Sequence, residues 1–157
     1  MSFVDLVSAD VEQVIHRFEG FHFRFSTHFA TQTRNMATQA RQYLQGQFIC
    51  QHADNLMAFE KWVPDTDYQS LHHFISSSPW EDKPVIDDIA QSVKTLIGSA
   101  EHGSLHIDES GIPKQGNHSV GVTRQYCGRL GKVDNCQMGV FLGYANGSSR
   151  ILVDKRL

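Results

Sequence analysis

Cysteine is scarce in this 157-residue chain: Cys50, Cys127 and Cys136 stand far apart and form no CxxC pair. That spacing offers neither a structural zinc site nor a disulfide framework, and it suits a reduced, cytoplasmic chain. Long apolar runs are missing too; none approaches the ~18 residues that a membrane helix needs. The opening MSFVDLVSAD carries an early acid and no basic n-region, so it does not read as a secretory signal. Internal repeats and low-complexity linkers are absent. What remains is an ordinary globular composition, 40% hydrophobic and 20% charged, sufficient for one core or for two small lobes.

One absence is local. Between Gly111 and Val133 there is no acidic residue, while Lys114, Arg124, Arg129 and Lys132 are present and five glycines punctuate the segment. Residues 1–110 hold 7 Lys/Arg against 15 Asp/Glu, a net of −8, and residues 111–157 hold 7 against 2, a net of +5. Such a division suggests two lobes with different surroundings, the second able to face phosphate; mutual neutralisation of the lobes explains the charge equally well. The nine histidines are scattered. His72-His73 falls inside a helical pattern, where two helix-surface imidazoles are the plainer reading and metal ligation the rarer one.

The first hundred residues read as helices. Val11, Val14, Ile15 and Phe18 recur at helical spacing after Ser8 or Asp10 as a cap, and FHFRF at 21–25 alternates briefly, leaving its state open. Met36 to Phe48 gives a second stripe, and Leu56 to Val63 a third that stops at Pro64. Asp67 can cap a fourth over Tyr68–Ile75. SPWE at 78–81 has the form of a capping box with proline at the first helical position, and Asp82 before Pro84 offers a start slightly downstream. Val85 to Ile97 then forms a stripe that ends at Gly98. These apolar stripes are assigned to core and carry no chemistry.

After Gly103 the texture changes to strands. LHID is a short strand, SVGVTRQYCG alternates, CQMGVFLGYA is a longer apolar run, and Asn146-Gly147 signals a type I′ hairpin turn into RILVDKRL. The fold class expected is α+β, with a helical region over 1–100 and a small sheet over 101–157.

Asp108 leaves the first strand after an apolar isoleucine, with His106 two residues earlier on the same face. A carboxylate so placed suits a hard cation such as Mg²⁺, although an Asp before Gly at a strand end also simply begins a turn. Glu109 points to the opposite face if the strand continues. Two-metal phosphoryl transfer needs several carboxylates around ions ~3.5–4 Å apart, which one aspartate does not supply. Basic side chains on a glycine-punctuated backbone beside such a carboxylate make a phosphate-binding surface. Gly128-Arg129-Leu130-Gly131-Lys132 is not a Walker loop, because it lacks the GxxxxGK[ST] frame and a following helix. An unrelated α+β enzyme using His106 and Asp108 in acid–base work is the other catalytic reading.

The stretch DESGIPKQGNHSVGVTRQYCGRLGKVDNCQMGVFLGYA, from Asp108 to Ala145, closely resembles the catalytic-domain entry of bacterial insertion-sequence transposases of the DDE type, the DDE superfamily endonuclease branch. The likeness runs densely from Leu105 to Leu157, and HHFISSSPWE upstream resembles the helical lead-in of that family. It implies a ribonuclease-H-like domain over 101–157, whose first strand carries the first acid of an Asp-Asp-Glu metal triad, by position Asp108. It also implies Mg²⁺- or Mn²⁺-dependent cutting and joining of transposon ends in the nucleoid. DNA ends and target would contact Lys114, Arg124, Arg129 and Lys132, and the helical region would contribute to end binding and assembly with full-length subunits. In such enzymes the second Asp and the Glu lie well downstream. Here Asp134 and Asp154 are the only later acids, and neither falls where the family's second acid would. The expectation is therefore an N-terminal fragment with an incomplete triad, inactive alone; the alternative is a non-catalytic DNA-binding or interfering protein.

Overall fold

The computed structural model of the protein describes residues 3–50 and 55–157. Helices come first and strands follow, so the chain is α+β: α1 (Phe3–Phe25), a 3₁₀ turn (Ser26–Phe29), α2 (Ala37–Ile49), α3 (Leu56–Trp62), α4 (Tyr68–Ser76), α5 (Asp82–Ile97), then β1 (Gly103–Pro113), β2 (Val122–Cys127), β3 (Lys132–Asn146) and β4 (Ser149–Arg156). The chain divides into two compact units, Met1–Asp82 and Lys83–Leu157, so that α5 groups with the sheet and the earlier helices form their own body. None of the described helices is long and apolar enough to cross a membrane.

In the helical unit the caps follow the sequence chemistry. The Asp67 carboxylate accepts from the Ser70 backbone N–H at 2.7 Å, and the Asn55 side chain accepts from Ala58 N–H, each satisfying a donor that the first turn leaves open. FHFRF closes α1 as helix: Phe25 is buried and Phe23 is exposed. The core gathers Phe25, Phe29, Met36, Ala40, Phe59, Val63, Leu71 and Phe74. Phe29 meets Phe74 edge-on at 5.7 Å and Trp80 at 5.2 Å, while Tyr43 meets Phe59 at 5.7 Å.

SPWE does not open a helix. The Ser78 hydroxyl is hydrogen-bonded to His73 Nδ1 at 3.1 Å, and Trp80 stacks on Phe74 and donates its indole N–H to the Phe74 carbonyl at 2.9 Å. Those bonds hold the segment against the end of α4. The helix starts instead at Asp82, with Pro84 in its first turn, where a missing N–H costs nothing.

The sheet unit is built on β3. Its 15 residues pair antiparallel with β1 along one edge; β2 and β4 share the other, β2 beside Lys132–Gln137 and β4 beside Val140–Asn146. A register shift in β4 lies opposite Leu142/Gly143. β1 is longer than LHID suggests: DESGIP continues the ladder to Pro113, so Asp108 lies inside a strand and begins no turn. The β3–β4 turn also differs from the type I′ expectation. Asn146 stays in the ladder opposite Ser149, and Gly147 alone has a positive φ of 57°, the pattern of a type II′ turn led by glycine. The cause is visible at Asn146, whose side-chain amide donates to the Ile97 carbonyl at 2.8 Å. The Tyr144 hydroxyl donates to the same carbonyl at 3.1 Å and accepts from Ser99 N–H at 2.8 Å. The end of α5 is thus tied to β3, and Leu105, Val93 and Val153 line a cleft beneath the helix.

Gly46 is buried in α2 against the Phe59 ring, and a Cβ added there would lie within that ring. Gly46→Ala gains helix propensity of ~1 kcal/mol but overpacks a filled core at ~1–3 kcal/mol. Urea unfolding followed by circular dichroism is expected to show a net loss of up to about 2 kcal/mol.

Candidate nucleic-acid interface

Neighbouring residues on a strand face opposite ways, and residues directly opposite on paired strands share a face. Asp108 lies opposite Phe141 of β3, which lies opposite Lys155 of β4. Asp108, Phe141 and Lys155 therefore form one row across the sheet, bordered by the His106–Gly143–Leu152 row. The Phe141 ring leans over Gly139, where an added Cβ would meet it at 2.9 Å. On the other side of Phe141, next to the Asp108 row, a depression of about 370 Å³ is lined by His106, Gly143, Arg150 and Leu152. Lys155 is a member of this face that the basic run of residues 111–133 does not reveal; plain alternation counted from the turn would set Asp154 opposite Phe141, and the register shift at Leu142/Gly143 brings Lys155 there instead.

The Asp108 carboxylate is exposed and accepts from the backbone N–H of Glu109 at 2.9 Å. Glu109, opposite Val140, is on the other face. The His106 imidazole is hydrogen-bonded to the Ser104 hydroxyl at 2.8 Å, and among the described residues no bond joins it to Asp108. An acid–base dyad of His106 and Asp108 therefore has no geometric support.

The four basic residues divide. Lys114 and Arg124 flank Asn135 from opposite edges of β3: the Lys114 N–H donates to the Asn135 carbonyl at 3.0 Å, and Arg124 is registered opposite Asn135. This row shares parity, and hence a face, with Asp108 and lies six residues along β3, a distance of ~20 Å at ~3.3 Å per residue. Lys132 is on the opposite face, ion-paired to Asp134 at 2.9 Å. Arg129 sits in the exposed turn between β2 and β3, where the N–H groups of Leu130 and Gly131 both donate to the Cys127 carbonyl.

The hydrogen bond from Lys132 is the main reason the Asp134 carboxyl is held below the usual carboxylate range, with the Asn135 N–H and the positive charges of Lys132 and Arg124 adding to it. Asp154, opposite Leu142, also lies on the face away from Asp108, where it accepts from Lys155 N–H at 2.8 Å. Among the described residues there is no group of three or more His, Cys, Asp or Glu side chains placed to hold a metal ion. Asp108 can serve as one ligand to a hard cation. The residues present do not by themselves fit a two-ion centre, which needs carboxylates converging on one point.

N-terminal helices followed by an antiparallel sheet make this an α+β protein that presents an exposed strand aspartate and basic rows on one face. Residues 24–157 match the family model of the DDE superfamily endonucleases, and the chain belongs to that family. It is also 40% identical over 83 residues to the "Probable transposase for insertion sequence element IS701" of Microchaete diplosiphon. That match covers 48% of this chain and 21% of the relative, so the chain matches about a fifth of the relative's length. No solved structure matches.

In Lys132→Ala the Asp134 carboxyl loses its main stabilising partner, so its pKa is expected to rise; carboxyl carbon NMR during an acid titration reads this directly. The sign for stability follows: a depressed carboxyl contributes at neutral pH, and that contribution disappears as pH falls through the lowered value. An unchanged Asp134 titration would mean that the ion pair is not formed in solution.

Proposed function

We propose that this chain is the DNA-docking part of an insertion-sequence transposase with a ribonuclease-H-like catalytic domain, and that Asp108 is the first of its metal-binding carboxylates. The observation that carries this reading is the shared face. Asp108 and Lys155 occupy one row, and Lys114 and Arg124 another about 20 Å along the same strand surface. A DNA strand with phosphates every ~3.4 Å of axis spans about six nucleotides over that length, so both rows can engage one backbone. The family match and the transposase relative support DNA as the ligand, with Mg²⁺ or Mn²⁺ as the ion that Asp108 would help to hold.

Within this reading the chain's residues bind and orient. Lys114, Arg124 and Lys155 neutralise phosphates, and the open face beside Phe141 leaves Asp108 accessible to the backbone it would serve. Asp108 supplies a single carboxylate, so the 157 residues taken alone bind DNA without cutting it.

Fluorescence anisotropy with a 25-base-pair duplex, repeated across salt concentrations, tests the first half. Lys114→Ala and Arg124→Ala are each expected to weaken binding and to lower the salt slope by about 1. Lys132→Ala, whose ammonium is held by Asp134 on the other face, should change the slope less. Affinity that ignores salt, or an effect of Lys132→Ala as large as that of Arg124→Ala, contradicts the proposed surface. For the second half, incubation of a labelled duplex with Mg²⁺ or Mn²⁺ should leave it intact; cleavage abolished by Asp108→Ala would overturn the single-carboxylate reading.

A further inference from the structure

Four glycines stand in the strands of the sheet, and crowding accounts for three of them. A Cβ at Gly103 would strike the Tyr144 hydroxyl, one at Gly111 would lie 3.0 Å from Cys127 Sγ, and one at Gly139 would lie 2.9 Å from the Phe141 ring. Gly143 is different. A Cβ there would meet nothing nearer than the carbonyl oxygens of His106 and Ile151, at 3.8 and 3.9 Å, and its φ is not positive. The extra residue of the neighbouring register shift is Val153, in β4. Neither packing nor backbone geometry calls for glycine at this mid-strand position, where it weakens a sheet and often marks the close approach of a ligand.

Gly143 is the floor of the depression of about 370 Å³ beside the Asp108 row. His106 of β1 and Leu152 of β4 are registered on either side of it, so their side chains wall a slot ~10 Å across, two strand spacings. Arg150 closes one end, opposite Ala145 and on the same face. His106 and Arg150 are exposed, Leu152 is 61% exposed, and no lining residue is acidic. The bonds of Tyr144 and Asn146 to the end of α5 are made on the other face of the sheet, so the slot is open.

An imidazole on one wall, an aliphatic side chain on the other and a guanidinium at the end suit a flat heteroaromatic ring. The walls cover its faces, and the guanidinium, which only donates, meets acceptors on its edge. In a duplex the faces of each base are covered by its neighbours, and the grooves offer edges alone. A slot that takes a ring between two side chains therefore admits an unpaired base. Asp108 follows His106 by two residues, ~7 Å along β1, so a base in the slot brings an adjoining phosphodiester of its own strand beside Asp108.

We propose that the slot over Gly143, walled by His106 and Leu152 and ended by Arg150, binds one unpaired nucleobase of DNA next to the phosphodiester presented to Asp108. The proposal rests on the DNA-docking reading above and adds to it a local opening of the duplex at this position.

Fluorescence anisotropy of the full 157-residue chain with two 25-base-pair duplexes, one intact and one carrying a single bulged thymidine, tests it. The bulged duplex is expected to bind about tenfold more tightly. Gly143→Val sets a side chain on the floor of the slot and should abolish that preference, with affinity for the intact duplex and its salt slope unchanged. Because valine is the better strand residue, the urea midpoint should stay level or rise. Arg150→Lys keeps the charge but loses the planar fork, and should cut the preference about threefold at an unaltered salt slope. Salt-dependent binding of both duplexes with equal affinity overturns the base site and leaves the docking surface standing, whereas binding of neither overturns the docking reading and the base site with it. A preference that survives Gly143→Val, or a urea midpoint that falls in that variant, also overturns the proposal.

Discussion

The long strand β3 is the constraint on which the second unit depends. Its 15 residues give β1 a partner from Gly103 to Pro113 on one edge and hold β2 and β4 in tandem on the other. Each of those strands pairs with β3, and β3 is the only strand that all three share, so its register fixes which side chains meet. Antiparallel pairing puts directly opposite residues on one face, and a one-residue slip would exchange the faces. Asp108 stands with Phe141 and Lys155 because Ile107 is set against Leu142. Lys132 is drawn to Asp134 because both have the parity opposite to that of Asn135. α5 supports the arrangement from its last turn, where the Ile97 carbonyl takes hydrogen bonds from both Tyr144 and Asn146.

Asp108 is openly presented on the strand surface. An exposed strand carboxylate that accepts from the next backbone N–H contributes little to packing. It is stable on the surface and available to a ligand. The surface around it is uneven: glycines at 139 and 143 leave Phe141 as the one large side chain of β3 beside Asp108, and the cations lie at two stations along the strand. That distribution suits contact with an extended polyanion better than with a compact one, because phosphate contacts set position along a backbone.

Much of the architecture was legible in the residues. Helix periodicity and the Asp67 cap located α2 to α4, and β-branched and aromatic runs located β2, β3 and β4. The misses have identifiable causes. SPWE carries every feature of a helix start, yet a tertiary contact, Trp80 on Phe74, claims it for the end of α4. Glycine and proline in DESGIP suggest a turn, but pairing with β3 keeps them extended; Gly111 has no room for a Cβ beyond ordinary contact because Cys127 Sγ would lie 3.0 Å away. The acid-free run from Gly111 to Val133 suggested one basic patch. Strand parity divides it, and parity cannot be counted until the ends of the strands are known. Lys155 joins the Asp108 row only through the register shift in β4, which nothing in RILVDKRL announces. In α1 the stripe Val11, Val14 and Ile15 has core periodicity yet is largely exposed, because α2 meets α1 from Phe18 onward.

The claim that β3 is the interior strand, with β1 at an edge, is tested most directly by residue-resolved amide hydrogen exchange on the 157-residue chain. The account predicts that within residues 103–157 the slowest amides belong to β3, and that along β1 slow and fast amides alternate, the slow ones being those that donate to β3. Uniform protection of every amide from Ser104 to Ile112, or exchange in β3 as fast as at the outer amides of β1, would contradict it.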